Sequence, residues 1–142
     1  MELLDPNMTQ RVWQRVQGTA QEDPLPPMIL QTQTCAAACG RLSKHFRGRE
    51  AELLKMRTAL LRQMDCLQGM LYLRTGQRIP LPTPASTQEP ADALLRGCIG
   101  HCLRLAEAQR RASNTPEYGP VLVALAEETT NHLRLLLELA GK

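Results

Sequence analysis

Between Gln77 and Pro90 the sequence reads QRIPLPTPASTQEP, with prolines at 80, 82, 84 and 90 and no helical period. Proline removes a backbone donor and fixes φ, so this stretch interrupts any helix and has to act as a connector, residues 76–89. It divides the chain into two blocks of similar length. The first runs from about Met28 to Thr75 and breaks near Arg47 and Gly48; the second runs from about Ala91 to Ala140 and breaks at Asn114-Thr115-Pro116. Each block reads as a helical hairpin (28–75 and 90–140), with helices expected over 28–46, 50–74, 90–113 and 117–140. Upstream, Pro24, Pro26 and Pro27 close an N-terminal segment, residues 1–25, in which Val12, Trp13 and Val16 form the apolar face of a short accessory helix stopped by Gly18. The bundle itself is expected over residues 26–142.

A heptad template that alternates steps of three and four residues keeps one helix face turned toward a bundle core. All four helices satisfy it. The expected seams are Met28, Thr32, Cys35, Cys39, Leu42 and Phe46; Leu53, Met56, Leu60, Gln63, Leu67 and Met70; Leu94, Cys98, His101, Leu105, Ala108 and Ala112; and Tyr118, Leu122, Leu125, Thr129, His132, Leu136 and Leu139. Five polar residues interrupt them: Thr32, Gln63, His101, Thr129 and His132. Counted from the hairpin bends, these lie at similar heights, so one mid-bundle layer is expected to hold them all. The connector's roughly thirteen extended residues reach on the order of 40 Å, the length of a long helix. It is therefore expected to cross from one end of the bundle to the other, leaving the second and third helices parallel.

Composition agrees with an all-α domain. The 142 residues make one domain's worth of chain, 43% of them hydrophobic, yet aromatics are only 3%: Trp13, Phe46, Tyr72 and Tyr118. A β-sandwich or barrel leans on aromatic and β-branched side chains that are scarce here. A net charge of +3 with so few stacking residues disfavours nucleic acid as a partner. No stretch reaches the length of apolar sequence that spans a membrane, and the start, MELLDPNMTQRVW, has no basic run leading into an apolar core. The protein is expected in the cytoplasm. Five cysteines without CxxC spacing fit reduced, buried thiols better than a disulfide framework. Cys35 and Cys39, like Cys98 and Cys102, are spaced i,i+4 and share a helix face.

The two tandem hairpins, the phrase GREAELLKMRTALLRQMDCLQGMLYLRTGQRI and the later LVALAEETTNHLRLLLELA resemble the ferritin-like, rubrerythrin-like group over about residues 26–142. The resemblance implies a ferritin-like four-helix bundle with one long crossover. In that group two helices each supply a glutamate and two supply a Glu-x-x-His pair, which together hold two metal ions. Carried onto this chain, Leu60 and Gln63 take the first Glu-x-x-His place and Thr129 and His132 the second. Thr32 or a near neighbour and His101 take the single-glutamate places. Only His132 matches the ligand type. No carboxylate stands on any expected seam, and Glu52, Glu107, Glu127 and Glu128 all lie off it. A di-iron centre needs those hard oxygens, so the expectation is a scaffold that has lost its metal chemistry and carries no cofactor.

The alternative turns on what replaced the carboxylates. Cys35, Cys39, Cys98 and Cys102 with His101 and His132 form a soft or borderline donor set, suited to zinc or copper(I) better than iron. Against that, core cysteines commonly act as small hydrophobes, and two buried histidines are satisfied by hydrogen bonds to each other, to Gln63 or to Thr129. Cys66 falls beside the second seam. The strip Arg104, Gln109, Arg110 and Arg111 reads as a solvated face, and Met56, Met64 and Met70 read as core. No phosphate-binding glycine loop, GxSxG elbow or HExxH occurs, and Ser43, Ser86 and Ser113 have no placed His and carboxylate partners. Two functions lead: a non-catalytic bundle that binds itself as a homodimer, a protein partner or a small ligand in the space the metals vacated, and a metal-binding protein or oxidoreductase with an unorthodox His/Cys set; a helical regulator unrelated to ferritins is a third reading.

Overall fold

The computed structural model describes residues 23–84 and 88–141; the expected accessory helix around Trp13 lies outside the described residues. Among the described residues, four helices account for the regular structure: α1 (Leu25–Leu42), α2 (Glu50–Thr75), α3 (Ala91–Ala112) and α4 (Gly119–Ala140). The described residues contain no strand.

The helix ends follow local chemistry. α1 starts three residues before the expected Met28, because Pro26 and Pro27 fall in the first turn, where the missing amides have no intrahelical acceptor anyway. Asp23 Oδ1 accepts from the Leu25 amide at 3.1 Å, and its carboxylate also pairs with Arg74 near the end of α2. α1 also stops short of the expected Phe46. There Ser43 Oγ donates to the Gly40 carbonyl at 2.7 Å, and the Lys44 and His45 amides turn to Arg41 and Leu42 in tighter i→i−3 bonds. Gly48, at φ +84°, then reverses the chain, and Gly76, at φ +76°, closes α2.

Cross-helix pairs set the directions. Gln31 meets His101 while Cys39 meets Cys98, so α1 and α3 are antiparallel. α1 and α2 are antiparallel through their short hairpin, with Cys39 against Met56. Since both α2 and α3 oppose α1, they run parallel to each other, as the connector length predicts. The connector is tied back along the bundle: Gln68 exchanges two hydrogen bonds with the backbone of Ile79, at 3.0 and 3.1 Å, and Gln33 donates to the Pro82 carbonyl at 2.8 Å. α4 returns beside α3, with Gln109 against Thr129, and reaches α2 through Gln63 and through Arg49 with Glu138.

The core corrects the seams by one residue in places. In α3 the buried positions are Leu94, Leu95, Cys98, Cys102, Leu105, Ala106, Gln109 and Ala112, so Cys102 replaces the expected His101 and Gln109 the expected Ala108. In α4, Ala126 and Leu133 replace Leu125 and His132; in α2, Leu71 replaces Met70. Phe46 and Met70 pack only partly against the core. Adjacent residues differ by about 100° of rotation, and burying a thiol, a methyl or a leucine costs less than desolvating an imidazole. The phase that buries Cys102 and Leu133 therefore wins.

Candidate functional site

The expected mid-bundle layer is present with a different membership. Gln63, Gln109 and Thr129 are 2%, 0% and 0% exposed and form a head-to-tail ring. Gln109 Nε2 donates to Gln63 Oε1 at 2.8 Å, Gln63 Nε2 donates to Thr129 Oγ1 at 3.3 Å, and the Thr129 hydroxyl donates to Gln109 Oε1 at 2.8 Å. The second proton of the Gln63 amide goes to Glu128 Oε1 at 2.8 Å. Buried polar groups demand partners, and here three side chains from three helices supply them to one another. Gln109 was expected on a solvated strip. Its spacing of four from Leu105 and three from Ala112 places it on the core face, and its polarity hid that.

The other expected members do not join. Leu60 is fully buried hydrophobic core, and Thr32 turns its hydroxyl to the Met28 carbonyl of its own helix at 2.7 Å. His101 is half-buried on the α1 side of α3, where Gln31 Nε2 and Arg104 Nη2 approach its Nδ1 at 3.3 and 3.0 Å. A guanidinium only donates, so Nδ1 accepts and the ring is neutral. Burial first, and Arg104 next, hold His101 below its ordinary pKa. His132 instead lines a groove of about 520 Å³ between α2 and α4, with Glu52, Lys55, Arg62, Glu128 and Asn131 on its walls. Its Nδ1 is buried and has no hydrogen-bond partner, and burial pulls its pKa down. The two histidines therefore share no hydrogen bond with each other or with Gln63 and Thr129, contrary to expectation.

The carboxylates stay outside the ring, apart from the edge contact of Glu128. Glu52 pairs with Arg49, and Glu107 and Glu127 are exposed. Among the described residues, no three His, Cys, Asp or Glu side chains gather in a geometry that could hold a metal ion.

Two of the core cysteines meet across helices. Cys35, Cys39, Cys98 and Cys102 are all 0% exposed and unbridged, while Cys66 is exposed on α2. Cys39 Sγ lies 3.8 Å from Cys98 Sγ and donates to the Met56 thioether sulfur at 3.3 Å. Cys102 neighbours Cys35 and Cys98, and those two thiols draw its pKa down against the opposing effect of burial. Its neighbours move the other way: Cys35 and Cys98 are pushed far up by the same contacts and by burial. The i,i+4 spacing marked each pair from the sequence. That the pairs would face each other, and that Met56 would close on Cys39, depended on helix register.

Comparison with protein-family models, with curated proteins and with solved structures finds no match for this chain.

Proposed function

We propose that this chain is a ferritin-like bundle that has given up di-iron chemistry and works as a non-catalytic binding module. The single observation that carries the reading is the Gln63–Gln109–Thr129 ring at mid-bundle. Two iron ions bring four or more positive charges, which anionic oxygens have to neutralise. The ring offers neutral amide and hydroxyl oxygens already spent on one another, and Leu60 adds only carbon. The resemblance to the rubrerythrin-like group and the parallel α2 and α3 support the scaffold assignment. Support for binding comes from the α2–α4 side, where an open groove mixes Glu52, Lys55, Arg62, Glu128 and the half-buried His132. A homodimer or an amphipathic partner helix with both signs of charge suits such a wall.

The test is anaerobic loading with ferrous iron, desalting, and exposure to oxygen, alongside elemental analysis of protein from its native host. Substoichiometric iron and no oxygen-dependent absorbance are expected. Two retained irons per chain with oxidase turnover would overturn the reading. Light scattering and chemical cross-linking of the same preparation read out self-association and partners.

A further inference from the structure

Sulfur atoms from α1, α2 and α3 meet in the core. Cys35 and Cys39 sit one turn apart on α1, and Cys98 and Cys102 one turn apart on α3. Because those helices are antiparallel, Cys39 faces Cys98 and Cys35 faces Cys102, and Met56 of α2 closes against Cys39. A single buried thiol is an ordinary space-filler. Two thiols and a thioether that find their polar contacts in one another are a concentrated set of soft donors.

The distances suit a shared ion. With metal–sulfur bonds of about 2.3 Å, two donors stand about 3.8 Å apart at the tetrahedral angle and about 4.0 Å apart at the trigonal one. Cys39 Sγ and Cys98 Sγ are 3.8 Å apart already. Met56 Sδ, at 3.3 Å from Cys39 Sγ, has to withdraw by about half an ångström, a small shift for an unbranched side chain with three rotatable bonds. The donor set then selects the ion. Hard cations want oxygen, and zinc wants four Cys, His or carboxylate ligands. Among the described residues, even three such ligands do not gather. Two thiolates and a thioether are the ligands that favour cuprous copper.

We propose that Cys39, Cys98 and Met56 form a three-sulfur binding site for copper(I), with Cys35 and Cys102 as an adjoining thiol pair. This goes beyond the reading above, since it places a soft-cation site one layer away from the vacated di-iron positions and asks for no catalysis. Binding is an exchange without electron transfer. One Cu⁺ forms bonds to the two Cys sulfurs and the thioether, both thiol S–H bonds break, two protons leave to solvent, and copper stays monovalent. The remaining single negative charge is spread over polarisable sulfur.

The experiment uses the full chain carrying Cys66→Ser, which removes the exposed thiol, reduced and kept free of oxygen. Copper(I) is titrated in competition with bicinchoninate, and the loaded protein is read by copper X-ray absorption. Withdrawal of at least one equivalent and a first shell of sulfur only are expected. Cys39→Ser and Cys98→Ser should each weaken binding by more than the roughly 10- to 100-fold that an outer-shell contact is worth. Met56→Leu, close in volume and so able to fold, should weaken it measurably. No withdrawal from the chelator, a shell containing nitrogen or oxygen, or a preference for zinc would overturn the proposal. Should a serine variant misfold by circular dichroism, the absorption spectrum of the Cys66→Ser chain and the Met56→Leu titration still decide it.

Discussion

Replacing Gln109 by leucine breaks the buried ring at two of its bonds. Gln63 Oε1 loses the 2.8 Å donor that satisfied it and stays buried, since Gln63 is 2% exposed. An orphaned buried acceptor costs about 1–3 kcal/mol. Thr129 suffers less, because its hydroxyl can donate to the Leu125 carbonyl at 2.9 Å in place of Gln109 Oε1. Leucine returns some apolar contact, so the net loss should be about 1–2 kcal/mol of unfolding free energy. Gln63→Leu should also destabilise, here by leaving the Gln109 amide unpaired, while Glu128 at the bundle's edge can turn to water. The double variant is the decisive one. With both amides gone no orphan remains, so its cost should fall short of the sum of the singles by about 1 kcal/mol, within the range seen for contacting residues. Urea unfolding followed by far-UV circular dichroism measures all four corners of the cycle. Single variants within about 0.3 kcal/mol of wild type, or strict additivity to that margin, would refute the claim that the ring is a coupled network.

Gly119→Ala should destabilise by about 1–3 kcal/mol, because a Cβ there would stand 2.9 Å from the Ser113 carbonyl oxygen; Gly97→Ala, in mid-helix with open space around it, should stabilise by about 0.5–1 kcal/mol, both read from thermal melts. Stability should decline as pH falls below His132's ordinary value of 6.5, since burial lowers its folded pKa and the unfolded chain takes up the proton first; His132→Leu should flatten that decline in pH-dependent urea melts. A disulfide-exchange dye should label one thiol per native chain quickly, the exposed Cys66, and five after denaturation; fast labelling of more than one would contradict the burial of the other four.

The architecture was legible because its signals are long or sharp. Pro80, Pro82, Pro84 and Pro90 can only punctuate, Gly48 and Gly76 stand at the two positive-φ positions among the described residues, and the connector's reach implied the parallel course of α2 and α3. The candidate site was legible only in part. Gln63 and Thr129 meet as their matched heights implied, but Gln109 joined them in place of His101 and His132. A helix in a globular bundle buries a stripe wider than two positions per heptad, so a strict template fits two phases about equally well. The choice between His101 and Cys102, or between His132 and Leu133, is settled by desolvation across helices, which no single-helix pattern contains. Interhelix register likewise decides that Cys39 meets Cys98 and Met56.

The way the connector is fastened bears on how two copies of this chain could interlock. Residues 76–84 are held to the first hairpin by the two Gln68–Ile79 bonds, the Gln33–Pro82 bond, the Thr75–Gln77 bonds and Arg78 over the Tyr72 ring, while most of their surface is exposed. The α3–α4 hairpin is thus joined to the first by a long, largely exposed strap. Releasing the strap would let that hairpin seat on the α1–α2 hairpin of a second molecule and receive the reciprocal hairpin in return, a domain-swapped dimer. Every interhairpin contact would be remade between molecules: the Gln109 bond to Gln63 and the approach of Cys98 to Cys39 would each join two chains. Entanglement of this kind adds no new interface chemistry, only a change in which chain supplies each half.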